Sequence, residues 1–236
     1  MDHIDGEEHM KNDDSTIKYL IKFVSKRKYA ESLLDGHLFM HTAKYYHELE
    51  NKYGPGQGDL REGNVIPGIA IYKDTDLPLF CLYAVTTVQN GLIKVNQDII
   101  RDFKSESGFA VVIDYDGFVK YLPQIETGGY AVLAGLISYG VPTEKLITQF
   151  FTDNNADTLF VKHPYFKNQQ EYRVVVFKRV SANSTSGKDI LEPGTSKTNV
   201  TYSIPGGLRH CSTLIDLSKI TVTDGFYLIP APKKRN

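Results

Sequence analysis

Residues 174–180 (VVVFKRV) are rich in β-branched valine, the pattern of a strand in the core of a sheet. Just before it, Gln169, Glu171 and Arg173 fall at every second position, so an extended chain presents them as one polar stripe. Elsewhere, short apolar runs predict strands at 18–24, 37–40, 65–72, 79–87 and 108–113. Later strands are expected at 200–204, 212–217 and 220–229, and an antiparallel pair at 158–161 and 172–180. Asn90-Gly91 is a hairpin signal joining 83–88 to 92–95.

Helical spacing is rarer. Tyr29, Ala30, Leu33 and Leu34 predict a helix capped by Ser25 and ended by Gly36. Thr42 reads as a second N-cap, with Tyr45, Tyr46, Leu49 and Tyr53 on one face, and the glycine-rich residues 54–59 break that pattern. Short helices are expected at 97–103 and, capped by Asp116, at 118–122; a longer one runs over 143–151. Residues 130–139 are apolar with Gly135 inside, and periodicity does not assign them. The polar stretch 181–199 reads as a long exposed loop.

Helices before 152 and strands without regular β-α-β alternation predict an α+β fold. Its core is a mixed, mostly antiparallel sheet, with helices concentrated in the N-terminal two thirds. Residues 17–230 read as a single domain, 231–236 as a frayed basic tail, and 1–16 as a disordered lead in which His9-Met10 resembles a cloning junction.

Composition narrows the functional classes. A net charge of −1 argues against nucleic acid or an anionic membrane as the main partner. Two cysteines, Cys81 and Cys211, exclude a disulfide framework and a cysteine-rich zinc site. With no basic-then-apolar leader and no apolar run approaching the roughly 20 residues of a membrane span, a cytoplasmic protein is expected. Signatures of phosphate loops, serine-hydrolase elbows and zinc proteases are absent.

Three candidate sites remain. Gln169, Glu171 and Arg173 form either a structural ion pair or the floor of a site; a carboxylate there suits the stabilisation of an oxocarbenium-like centre. Tyr45 and Tyr46, with His41 and Glu48, are either core or a platform on which a nicotinamide or adenine ring stacks. Ser105 and Ser107 flank Glu106, either as a turn or as hydroxyls bracing a catalytic glutamate.

Several segments together resemble DUF2971, a bacterial and phage family of unknown function. These are residues 33–40 (LLDGHLFM), 80–83 (FCLY), 107–114 (SGFAVVID) and the late series Lys162, His163, Phe166, Glu171, Tyr172 and Arg173. The family's Asn-Asp-Pro after the first helices is replaced here by residues 46–62. The arrangement also looks like ADP-ribosyltransferase-type folds, in which Gln169 and Glu171 match the late Gln/Glu-x-Glu, Lys22 stands at the early Arg or His, and Ser105 and Ser107 stand for the middle serines.

That likeness implies an NAD-dependent ADP-ribosyltransferase or NAD glycohydrolase, acting in phage–host conflict. In it Glu171 stabilises the ribose cation, Gln169 positions the acceptor, Arg173 holds the strand end or a phosphate, and Tyr45 or Tyr46 stacks. The alternative is a non-catalytic protein that sequesters a host or phage partner.

Overall fold

The computed structural model describes residues 16–42, 45, 77–102, 108–126, 130–140, 159–162, 164–180, 190–193 and 199–232. The strand predicted at 65–72, the helix at 143–151, and Tyr46, Ser105 and Ser107 lie outside the described residues.

The fold is α+β with a mostly antiparallel sheet core. Its elements begin with β1 (Tyr19–Val24), α1 (Arg27–Leu34), β2 (His37–Thr42), β3 (Pro78–Val85), β4 (Leu92–Asn96) and α2 (Gln97–Asp102). Next come β5 (Phe109–Asp114), α3 (Tyr115–Val119), α4 (Leu122–Glu126), β6 (Tyr130–Leu136), β7 (Ser138–Tyr139) and β8 (Val161–Lys162). A 3-10 helix (Pro164–Gln169) leads into β9 (Glu171–Val180), followed by β10 (Ile190–Pro193), β11 (Asn199–Ser203), β12 (Ser212–Asp216), β13 (Val222–Thr223) and β14 (Phe226–Pro230).

The main sheet runs β12-β5-β1-β3-β9, with β6 and β10 both on β9 and the pair β2-β11 attached to β3. Its most consequential feature is a fork at β3. One edge of β3 is fully paired with β9, from Leu79↔Val175 to Tyr83↔Glu171. The other edge is shared: β1 takes the end near Ile21↔Tyr83, and β2 takes the end at His41↔Leu79. Between those two ladders lie Phe80, Cys81 and Leu82, where β1 and β2 part into separate wings.

Strand alternation then sorts side chains onto two faces. On the front, Leu20, Phe80, Leu82, Val111, Ile113, Val174 and Val176 join Ala30, Leu33 and Leu34 of α1 and Phe118 of α3 in the largest core. Full burial of each large apolar side chain contributes roughly 1.5–3 kcal/mol. On the back, Ile21, Tyr83 and Val112 pack beneath Ile93 and Val95 of β4 and Tyr227 and Ile229 of β14. Further along the same face, Leu79, Val175 and Phe177 pack with Leu159.

The end of α1 is held by a close backbone crossing. Gly36 (φ +90°) and Gly207 (φ +67°) adopt left-handed conformations, and a Cβ on either would collide with a carbonyl of the other segment, Ile204 O or Leu34 O. Leu208 N–H donates to Leu34 O and Ile204 N–H to Gly36 O, at 2.8 and 2.9 Å.

Several expectations need correction. Lys26, not Ser25, is the N-cap of α1 and no side chain caps it; the Lys26 carbonyl accepts the first amides instead. Thr42 ends β2 and is buried, and of the helix expected after it only Tyr45 lies among the described residues. Asp114 rather than Asp116 caps α3, accepting from Gly117 N–H at 2.9 Å. Residues 161–162 pair in parallel with β7, not with β9, whose edges are already filled by β3, β6 and β10. The stretch 181–199 contains β10, paired with the end of β9. Residues 220–229 turn at Asp224-Gly225, where both φ angles are positive, so they form a hairpin rather than one strand. The turn at Asn90-Gly91 is as expected, but the strand it delivers, β4, leaves the main sheet to pair with β14.

Candidate functional site

The fork places a polar cluster inside the protein. Glu171 opens β9 directly after Gln170, whose φ of +41° turns the chain from the 3-10 helix into the strand. Gln169 therefore belongs to the 3-10 helix and not to the strand stripe that its spacing suggested. Its side chain still reaches the same place, because Lys162 Nζ donates both to Gln169 Oε1 at 3.1 Å and to Glu171 Oε2 at 2.7 Å. The parallel pairing of Tyr139 with Lys162 sets both beside this carboxylate, and Glu171 N–H donates to the Tyr139 hydroxyl at 2.8 Å.

Arg173 sits two residues further on the same face, directly opposite Cys81. Its Nε donates to Glu171 Oε1 at 2.8 Å and its Nη1 donates to the Leu159 carbonyl. Arg173 is fully buried, and Glu171 and Lys162 nearly so. The Cys81 thiol also hydrogen-bonds the Glu171 carboxylate. Burial alone would raise the Glu171 pKa; Arg173 and Lys162 outweigh it and hold the carboxyl below the ordinary carboxylate range. Burial and the nearby carboxylate push the Tyr139 hydroxyl well above its ordinary value, so it stays a neutral phenol.

Lys22 approaches from the other face. By alternation it belongs with Leu20 and Phe80 on the front, and its ammonium lies 4.6 Å from the centre of the Phe80 ring. It donates to the Cys81 carbonyl at 2.7 Å, filling the place in the fork where neither β1 nor β2 pairs with β3. Burial pulls the Lys22 pKa down, against the opposing influence of Cys81 and Glu171. Lys22 thus meets the cluster through β3.

Tyr45 is brought to the same sheet face as Glu171. Its ring stacks on His41 at 3.7 Å between centres and 6° between planes, and His41 meets Phe39 edge-on at 4.9 Å. His41 pairs with Leu79, two residues from Cys81 along β3, a rise of ~7 Å. One face of Tyr45 is therefore covered by His41, whereas Phe39 keeps 49% of its surface exposed.

Among the described residues, Lys162 and Arg173 thus meet one carboxylate from the same face, and Lys22 lies behind it across β3. Of the residues expected from sequence, Gln169, Glu171 and Arg173 meet, Tyr45 shares their face, and Lys22 lies across the strand from them. Lys162, Tyr139 and Cys81 were given no role by the residue pattern. The positional signals that point to them are the Lys-His preceding the 3-10 helix and the Cys in the middle of an apolar strand. No group of three or more His, Cys, Asp or Glu able to hold a metal occurs among the described residues. None of the helices among the described residues is long and apolar enough to cross a membrane. No protein-family model, no curated protein and no solved structure matches this chain.

Proposed function

We propose that the protein binds a phosphate-bearing dinucleotide of the NAD type on the back face of the forked sheet, in the manner of ADP-ribosyltransferase-like proteins. The observation that supports this reading is the pair of buried cations, Lys162 and Arg173, each held on one oxygen of Glu171. In this reading an incoming pyrophosphate meets Lys162 and Arg173 already positioned and desolvated. The aromatic series Phe39, His41 and Tyr45 lies along the same face and suits a heterocyclic ring.

In this reading Glu171 organises the cations in the free protein. Both of its oxygens are engaged, Oε1 by Arg173 and Oε2 by Lys162. It becomes available to a ribose hydroxyl only as the pyrophosphate draws those cations away, and that exchange is what would couple binding to chemistry at the ribose. Gln169, which accepts from Lys162, is the residue that orients the acceptor in this reading.

The test is turnover. NAD incubated with the protein should release nicotinamide, and Glu171→Gln should abolish release while NAD binding persists. Full turnover in that variant would reject the assignment of Glu171. The same engaged oxygens favour a second reading, a binding protein without chemistry, which predicts NAD binding by calorimetry with no nicotinamide released by either form.

A further inference from the structure

We infer that the outward face of the β2-β11 ribbon is an adenine subsite, in which the base stacks on Phe39 and Asn199 reads its hydrogen-bonding edge. The inference rests on the reading above and deepens it, by naming the base that the phosphate-bearing ligand carries.

The register builds the face. β2 and β11 pair antiparallel, with Asn199 opposite His41, Thr201 opposite Phe39 and Ser203 opposite His37. Cross-strand partners share a face, and so do residues two apart along one strand, so these six side chains form one surface. The alternate positions turn the other way. Leu38, Met40 and Tyr202 are buried in the front core, and Val200 packs against it. Apolar burial thus anchors one side of the ribbon and holds the other side outward in a fixed arrangement. There His37, Phe39, Asn199, Thr201 and Ser203 are exposed, and His41 is half-buried.

An exposed apolar side chain is ordinary by itself. What sets Phe39 apart is its surroundings. It keeps 49% of its surface open at the centre of the face. None of the five side chains around it is Asp, Glu, Lys or Arg, in a chain of which 23% is charged. An aromatic ring bordered by amide, hydroxyl and imidazole groups suits a planar heterocycle, which stacks through its face and is met at its polar edge. A nucleic-acid strand is disfavoured, since its backbone requires a cationic track that this face lacks. A single base whose phosphates are held elsewhere fits. Asparagine offers a donor and an acceptor side by side, the pair that complements N6 and N7 of adenine. Asn199 is diagonal to Phe39 across the ribbon, within reach of the edge of a stacked ring.

The place of this face relative to the cations follows from β3. Arg173 pairs with Cys81, and His41 pairs with Leu79, two residues further along the same strand. Two strand spacings across and two residues along set the Cα atoms of Arg173 and His41 ~12 Å apart, about the length of one nucleotide. His41, stacked on Tyr45 and edge-on to Phe39, is the near end of the platform.

The experiment titrates the full chain by calorimetry with ADP, GDP, adenosine and inorganic pyrophosphate. The wild type should bind ADP about tenfold or more tighter than pyrophosphate, and tighter than GDP. Phe39→Thr should lower ADP affinity to about that of pyrophosphate and leave pyrophosphate binding unchanged, which shows that the fold is intact. Phe39→Tyr, which keeps the ring, should bind ADP as the wild type does. Asn199→Leu should bring ADP and GDP to equal affinity.

ADP bound no more tightly than pyrophosphate by the wild type overturns the inference, and so does an ADP affinity that survives in Phe39→Thr. Equal wild-type affinity for ADP and GDP overturns the assignment of Asn199. If pyrophosphate binds and the base adds nothing, the phosphate reading stands and the adenine subsite fails. If adenosine binds through Phe39 while pyrophosphate does not bind, the subsite stands and the phosphate reading fails. If neither binds, both fail.

Discussion

Replacing Glu171 by Gln keeps the shape of the side chain and removes its charge. Lys162 and Arg173 then lose the charged carboxylate that their heads meet at 2.7 and 2.8 Å. Breaking a buried pair by deleting one partner costs about 3–5 kcal/mol, because the desolvation cost of the surviving charge is no longer offset. The amide still accepts one hydrogen bond, so the lower end of that range, about 3 kcal/mol, is expected. In a chain of this size 1 kcal/mol moves the melting temperature by roughly 2–4 °C, so the variant should melt about 10 °C below wild type. Circular dichroism melts at pH 7.5 measure it. Two further arms make the reasoning specific. Glu171→Gln with Arg173→Met should lose less than the sum of the single losses, by more than about 1 kcal/mol, because the two groups are coupled. Inorganic pyrophosphate should stabilise Glu171→Gln more than it stabilises wild type, since the added anion takes the place of the lost one. A Glu171→Gln melt within 2 °C of wild type would refute the picture of Glu171 as the anion that holds the buried cations.

Other expectations follow from local geometry. Gly207→Ala should destabilise by more than about 2 kcal/mol in urea titrations, because φ is +67° and the new Cβ meets Leu34 O at 2.8 Å; Gly206→Ala, at φ +81° with open space around it, should cost only the conformational term of about 1 kcal/mol. Asp114→Ala removes the one side-chain cap of α3 and should cost about 1 kcal/mol by the same measurement. Burial pushes the hydroxyls of Tyr83 and Tyr202 up to about 12. An acid whose folded pKa lies above its unfolded value of roughly 10 stabilises the fold fully below pH 10 and loses that contribution as pH rises to about 12. Stability should therefore fall across that window, and Tyr83→Phe with Tyr202→Phe should flatten the fall.

What could be read from the sequence was set by local patterning. Alternation and β-branched runs located β1, β3, β5, β9, β11 and β12 to within a few residues, since each has at least one face in a core. The hairpin glycine at 91 was equally legible, because a positive φ there strongly favours glycine. Pairing was not legible. Whether β8 joins β7 or β9 depends on which edge of β9 is already filled, and that is a property of the whole sheet. The site divides in the same way. Glu171 and Arg173, two apart in a strand, were visible as neighbours; Lys162 and Tyr139 come from other segments and meet Glu171 only through the parallel β7-β8 pair. Lys22 was placed in the site as a direct contact, but its position on the front face follows from its register against β5, which no local pattern encodes.

The central claim is that the buried positive cluster at the fork receives a phosphate-bearing dinucleotide, and a thermal shift with NAD tests it most directly. A ligand at 100 times its dissociation constant stabilises the folded state by about 2.7 kcal/mol, which in a chain of this size raises the melting temperature by roughly 5–10 °C. The account predicts that rise in the wild type, and its loss in Lys162→Met with Arg173→Met. An unchanged melting temperature at millimolar NAD would contradict it.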